Sequence, residues 1–335
     1  MCGTNGNSAI AESSKSKFSI VSLIKKPNVI LLIAAIITFV VVSLNVTNFL
    51  TWRNLTNVIA QASTNGLMAI GLTFVIITKG IDLSLPTNMA FSAIIGSMVM
   101  ARTQSTVLGI LVILCVAGGI GAIAGFSVAK FRMVPMIVTL ALSTIVSGAS
   151  NWITGARSVG GLPQLYRTIF AGDIFGIPNQ AIVFLLVAIT MHLLLSKTTF
   201  GQHLYQTGVN EKTAKVNGIN TAKIKLLAYV ISGLMAGITG ILVSARLGSA
   251  GPSIGTQDQF LIIVCATVLG GASIMGGKGT IIGTVLASVF MSVITNVMNL
   301  YGVQHFITFV IMGGIIILFT YFDLLRNKLG ETRVR

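Results

Sequence analysis

The most chemically suggestive stretch of the chain is Gly271-Ala272-Ser273-Ile274-Met275-Gly276-Gly277-Lys278-Gly279-Thr280, which at first reads as a phosphate-cradling loop. Such a loop needs a glycine five residues ahead of the one preceding the lysine, and Ser or Thr after the lysine. Ala272 and Gly279 hold those places. The stretch is therefore read as a glycine turn, with Gly270, Gly271, Gly276 and Gly277 as its turn or gate residues, and not as an ATP site. Other reactive groups are sparse. The seven acids are Glu12, Asp82, Asp173, Glu211, Asp258, Asp323 and Glu331, and none falls in the middle of a long apolar run. Ion-coupled carriers usually keep an ionisable group there, so ion coupling is disfavoured. His192 and His305 have no acid or cysteine at metal-ligand spacing, and Cys2, Cys115 and Cys265 are too scattered for a disulfide framework or a metal site. No nucleophile, base or metal set emerges. The chain reads as a non-enzyme without a cofactor of its own.

Mild polar residues form three stripes. Thr139, Ser143 and Ser147 repeat every four residues, with Asn151 following; Ser292, Thr295, Asn296 and Asn299 share one helical face; Gln61, Thr64 and Asn65 cluster within a turn. Hydrogen bonding between spans is one use for such residues. The other is a pathway for a polar uncharged solute, lined by Asn65, Thr139, Ser143, Ser147, Asn296 and Asn299.

The elements carrying these residues follow from composition. Of 335 residues, 54% are hydrophobic and 9% charged, with a net charge of +15. Soluble domains carry roughly 25% charged residues, so the surface of this chain must face a bilayer. Its basic residues sit singly between apolar runs, which excludes a nucleic-acid binder. Runs free of Asp, Glu, Lys and Arg cover 27–52, 54–78, 83–101, 103–129, 133–156, 174–196, 226–245, 259–277 and 279–322. A spanning helix needs about 20 residues. The last run is long enough for two spans around a turn at Asn299–Gln304. The expected fold is an all-α integral membrane protein of ten helices. Residues 1–26 form an N-terminal cytoplasmic tail, 27–325 the transmembrane domain and 326–335 a C-terminal cytoplasmic tail. Alternating sides from a cytoplasmic N-terminus puts 17 of the 22 basic residues inside and 5 outside, as the positive-inside rule requires. The 36 glycines suit close packing in lipid; Gly121 and Gly125, Gly233 and Gly237, and Gly279 and Gly283 form small-xxx-small pairs.

Two loops are long: 153–178 outside, with Arg157, Arg167 and Asp173, and 196–225 inside. Within the latter, residues 209–217 read as one short helix between a flexible Gly208 and a terminating Gly218, with Asn210, Glu211 and Ala214 inside it. Such a helix needs a surface to dock on, and small, uncharged Ala214 is the expected point of close seating. Asp82 or Ser84 is expected to cap the helix that follows them, worth around 1 kcal/mol.

Three segments together carry a resemblance: Gly80-Ile81-Asp82-Leu83-Ser84; Thr199-Phe200-Gly201, Gly208-Val209-Asn210, Ala214 and Asn217-Gly218-Ile219-Asn220; and Val268-Leu269-Gly270-Gly271 through Gly276-Gly277-Lys278-Gly279 and Gly283-Thr284. In order and spacing the chain is similar, over about residues 28–325, to the ribose-type monosaccharide permeases of bacterial ATP-binding-cassette importers. The resemblance implies a homodimer of permeases in the bacterial inner membrane, a cytoplasmic ATPase subunit that holds ATP and Mg, and an extracytoplasmic solute-binding protein. It also implies that Gly208, Asn210, Glu211, Ala214 and Gly218 form an ATPase-coupling loop, and that Gly80, Asp82 and Ser84 form a coupling turn. Sister families carry nucleosides or autoinducer-2-type furanones; a stand-alone carrier would lack the partners. Relatives commonly place Glu-Leu about ten residues before Leu-Gly-Gly, whereas Phe260-Leu261-Ile262 stands here, and Leu85-Pro86 replaces the usual Val-Gly. These departures bear on the solute and on the outer gate.

In a cysteine-free background, a cysteine at 160 is expected to react with an impermeant maleimide on intact cells, and one at 212 only after permeabilisation. External labelling at 212 would overturn the ten-span topology.

Overall fold

The computed structural model describes residues 27–256, 258–304, 307–315 and 317. Both expected tails and His305 lie outside the described residues. The chain runs α1 (Pro27–Asn45), α2 (Trp52–Ile77), α3 (Leu85–Thr103), α4 (Thr106–Lys130), α5 (Pro135–Thr154), α6 (Gln164–Ala171), β1 (Asp173–Ile174), β2 (Ile177–Pro178), α7 (Asn179–Lys197), α8 (Thr199–Val209), α9 (Glu211–Val216), α10 (Thr221–Leu247), a 3-10 turn (Pro252–Ile254), α11 (Asp258–Leu269) and α12 (Ile281–Leu300). Residues 307–315 are helical and form α13.

Every apolar run of the sequence carries helix among the described residues. Among the described residues, seven segments are long and apolar enough to cross a membrane: α2, α4, α5, α7, α10, α12 and the stretch Pro252–Leu269. The α3 helix has 19 residues but turns Thr87, Asn88, Ser92 and Ser97 into the interior, and this polar content keeps its hydropathy down. Its partners supply the hydrogen bonds that lipid cannot. Asn88 Nδ2, for example, donates to the Ala117 carbonyl at 3.1 Å.

Helices α2 and α10 form the centre. From Gly66 to Ile77 every residue of α2 is buried, enclosed by α7, α10, α11 and α12. The most extensive helix pair is α10 on α4, and glycine makes it possible. A Cβ at Gly121 would strike the Tyr229 carbonyl oxygen and come within 3.2 Å of Gly233 Cα; one at Gly233 would strike the Ala117 carbonyl. Backbones this close gain dispersion contacts, which drive association where hydrophobic burial cannot.

The structure departs from the sequence expectations in three places. The span expected in the 259–277 run is shifted toward the N-terminus: it covers Pro252–Leu269, and residues 270–280 form the glycine turn. The 153–178 loop is folded: it carries helix α6 and the β1–β2 hairpin. Its helix α6 buries Tyr166, whose hydroxyl bonds the Ile241 carbonyl at 2.9 Å and pairs with Ser244 Oγ at 2.7 Å. The 196–225 loop holds two helices, α8 and α9, divided by Asn210.

Gly121→Val should lower stability by about 1–3 kcal/mol through overpacking, read as a fall in Tm of the purified protein. Gly119→Val, which meets nothing within 4 Å, should leave Tm unchanged. Equal Tm values for the two variants would contradict this α4–α10 packing.

Candidate functional site

At the end of α2 the chain makes a Schellman turn. The Lys79 amide bonds the Ile76 carbonyl at 2.9 Å and the Gly80 amide bonds Val75 at 3.0 Å. That geometry needs a left-handed residue, and Lys79 supplies it at φ 65°. The turn leaves the Ile77 carbonyl unpaired within its own helix. The Gly277 amide, from the glycine turn, bonds it at 2.9 Å. The end of α8 presses onto the same spot. A Cβ at Gly208 would fall on the Ile77 carbonyl oxygen and lie 2.7 Å from Gly277 N. Lys79 Nζ donates to the Val209 carbonyl at 3.2 Å, and the Tyr205 hydroxyl donates to the Gly279 carbonyl at 2.6 Å. Three segments distant in sequence thus form one platform.

Gly208 is therefore a point of backbone contact inside a helix, not the flexible start the sequence suggests. Gly276 and Gly277, at φ 80° and 74°, belong to this platform. Gly271, at φ 89°, meets nothing nearby, while a Cβ at Gly270 would lie 2.5 Å from Thr284 Cα. These two shape the crossing of α11 and α12 instead.

Helix α9 hangs from the platform. Asn210 Oδ1 caps it by accepting from Lys212 N at 3.0 Å and Thr213 N at 3.2 Å, and Gly218 ends it at φ 81°. Glu211 ties it to α10: Lys215 Nζ lies 2.7 Å from Oε1 and Lys225 Nζ 2.6 Å from Oε2. Partial burial pushes the Glu211 carboxyl upward, but the two lysines outweigh it and hold the pKa at about 2. The stabilisation is present above the ordinary value of 4.5 and is lost only as pH falls from there toward 2. At neutral pH this tie is constant.

Ala214 corrects the sequence reading. It is buried, packed in the cluster of Leu204, Ile219 and Ile224. It cannot be the outward seat, because the face of a one-turn helix that grips its own chain is closed to another. Val216, 87% exposed, and Val209, 66% exposed, point away instead.

Asp82 does not cap α3 as expected; it holds its own turn and ties it to α10. Its Oδ1 accepts from Ser84 N at 3.1 Å and Ser84 Oγ at 2.6 Å, and its Oδ2 accepts from Ser232 Oγ on α10 at 2.7 Å. Ser84 itself makes no side-chain cap bond to α3. Gly80 lets the chain pass Tyr229, whose hydroxyl would be 2.6 Å from a Cβ there. Nothing local to the Gly80–Ser84 segment points to Ser232 or Tyr229 150 residues away, so the sequence reading missed both.

The six pathway candidates do not converge. Thr139 Oγ1 donates to the Ile81 carbonyl at 3.1 Å, Thr87 Oγ1 donates to Ser143 Oγ at 3.2 Å, and Asn296 exchanges amide hydrogen bonds of 2.8 and 3.0 Å with Asn54. These three are sealed between helices because a buried polar group in a bundle takes the nearest partner. Asn65 and Ser147 are half-buried, and Asn299 is exposed.

A bundle of apolar helices with a folded polar platform at one end is the build of a membrane permease subunit. Residues 54–320 match the family described as the permease component of the branched-chain amino acid transport system. The chain is 33% identical over 296 residues to the ribose import permease protein RbsC of Escherichia coli (strain K12), covering 87% of this chain and 92% of that one. It is 34% identical over 297 residues to the D-allose transport system permease protein AlsC of the same strain, covering 88% and 91%. With the L-arabinose ABC transporter permease protein AraH of Azospirillum brasilense it shares 30% over 295 residues, covering 88% and 86%. The chain belongs to this permease family. No solved structure matches it.

Ser232→Ala would leave one oxygen of a buried carboxylate without a donor, at a cost of about 1–3 kcal/mol. A fall in Tm is the expected result. If Asp82 served only its local turn, Ser232→Ala would leave Tm unchanged.

Proposed function

We propose that the chain is the membrane-spanning permease subunit of an ATP-driven importer in a bacterial inner membrane, carrying a monosaccharide or a similar polar uncharged solute into the cell. One observation carries the reading: two of the three segments by which the sequence resembles sugar permeases meet in space at the Ile77 carbonyl, three residues before the first of them. The solute class is supported by the relatives, whose names specify ribose, D-allose and L-arabinose.

In this reading the platform faces the cytoplasm, both termini lie inside, and the ten helical runs are ten spans, in line with the distribution of basic residues. ATP is hydrolysed on a separate subunit that grips α9 by Val216. Movement of α9 passes through Glu211 and Lys225 into α10, and through Gly208 and Gly277 into α2. A binding protein delivers solute at the opposite face, near α6. A second permease copy covers α5, which exposes Ala141, Thr144, Gly148 and Asn151 at spacings of three and four. Lipid solvates such a seam poorly, whereas a second helix packs on it closely. Ser147 beside this seam, Asn65 and Asn299 remain as solute contacts.

Val216→Glu should leave yield and Tm unchanged, while the ATPase no longer co-purifies and solute-stimulated hydrolysis is lost. Ala214→Glu should instead lower yield, since it places a charge in this chain's own core. The assay is uptake of a labelled pentose and hexose panel by the complex reconstituted with its ATPase and binding protein. Intact coupling in Val216→Glu would remove α9 as the docking element.

A further inference from the structure

Beside α9 lies a cleft of about 610 Å³ lined by Lys79, Arg132, Asn210, Glu211, Lys212 and Lys215, with Val209. It holds four cations and one acid. Glu211 already engages Lys215 and Lys225, and among the described residues no acid pairs with Lys79, Arg132 or Lys212. Two of these cations also sit on costly backbone. Lys79 at φ 65° and Arg132 at φ 54° hold left-handed positions just past the ends of α2 and α4, where glycine or asparagine costs less. The helix dipole favours a cation at each such end. It does not account for two helix ends and Lys212 converging on one cleft.

A second cavity of about 380 Å³ shares Lys79, Arg132 and Glu211 and continues to Met133, Val134 and Pro135. There the surface turns apolar: Phe131, Met133, Val134, Met136 and Ile137 are all exposed. A cationic cleft continuous with an apolar shelf matches a ligand with an anionic head and hydrocarbon tails. We propose that this cleft binds the phosphate headgroup of an anionic phospholipid, with the acyl chains lying along the 131–137 shelf. A free phosphate would use the cations and leave the shelf without a role. The inference places the headgroup in the inner leaflet only by way of the topology proposed above. Cysteine labelling at 212 tests that topology separately, and lipid binding is read whichever way the chain faces.

The full chain, purified in neutral detergent, would be titrated with phosphatidylglycerol, phosphatidylcholine of the same acyl chains, and inorganic phosphate, and adducts counted by native mass spectrometry. The wild type should retain one phosphatidylglycerol per chain at about one tenth of the concentration needed for phosphatidylcholine, and should not bind inorganic phosphate. The double variant Arg132→Asn with Lys212→Asn should lose that preference; asparagine tolerates the left-handed backbone at 132. Lys197→Asn, a charge deletion outside the cleft, should keep it. Equal retention of both lipids by the wild type, a preference that survives in the double variant, or binding of inorganic phosphate would overturn the proposal.

Discussion

The hydrogen bond from the Gly277 amide to the Ile77 carbonyl, 2.9 Å long, is the constraint on which the platform depends. A helix end always leaves carbonyls without intrahelical partners, and that of Ile77 at the end of α2 is buried where the platform closes the bundle. Borrowing a donor from a loop 200 residues away requires the two backbones to touch. A third backbone, at Gly208, then has no room for a side chain. One helix-end carbonyl thus accounts for glycine at 208 and 277.

From that point the ties run outward along α10. Glu211 fastens α9 to Lys225 near the start of α10, and Asp82 fastens the turn before α3 to Ser232 two turns further on. The same helix then packs on α4 through Gly233 and Gly121. A displacement of α9 therefore cannot remain local. It is shared between α10, which lies against most of the bundle, and α2, which the bundle encloses. Because Glu211 keeps its charge at neutral pH, this path does not depend on modest changes of pH around neutrality.

The helices were legible in the sequence because charge-free runs of 19 or more residues have one stable form in a bilayer. The end of α9 at Gly218 was legible as well, since its turn demands a left-handed residue. The glycine turn was readable as a turn but not as the donor to α2, because a backbone hydrogen bond leaves no trace in side-chain types. Ala214 was misjudged for a related reason: a small apolar residue fits an outward seat and an inward core equally well. The pathway stripes misled because Thr139, Ser143 and Asn296 have the spacing of a lining and the partners of interhelical bonds. Tyr166 folds the 153–178 loop through a partner on α10 far away in sequence, which no spacing within the loop shows.

The central claim is that the α2 end, the α8 end and the glycine turn form one locked unit. Hydrogen exchange at the Gly277 amide measures this directly. The account predicts slow exchange in the native protein and much faster exchange in Gly208→Val, whose side chain would push the Ile77 carbonyl away from its donor. Fast exchange in the native protein, or unchanged protection in the variant, would contradict it.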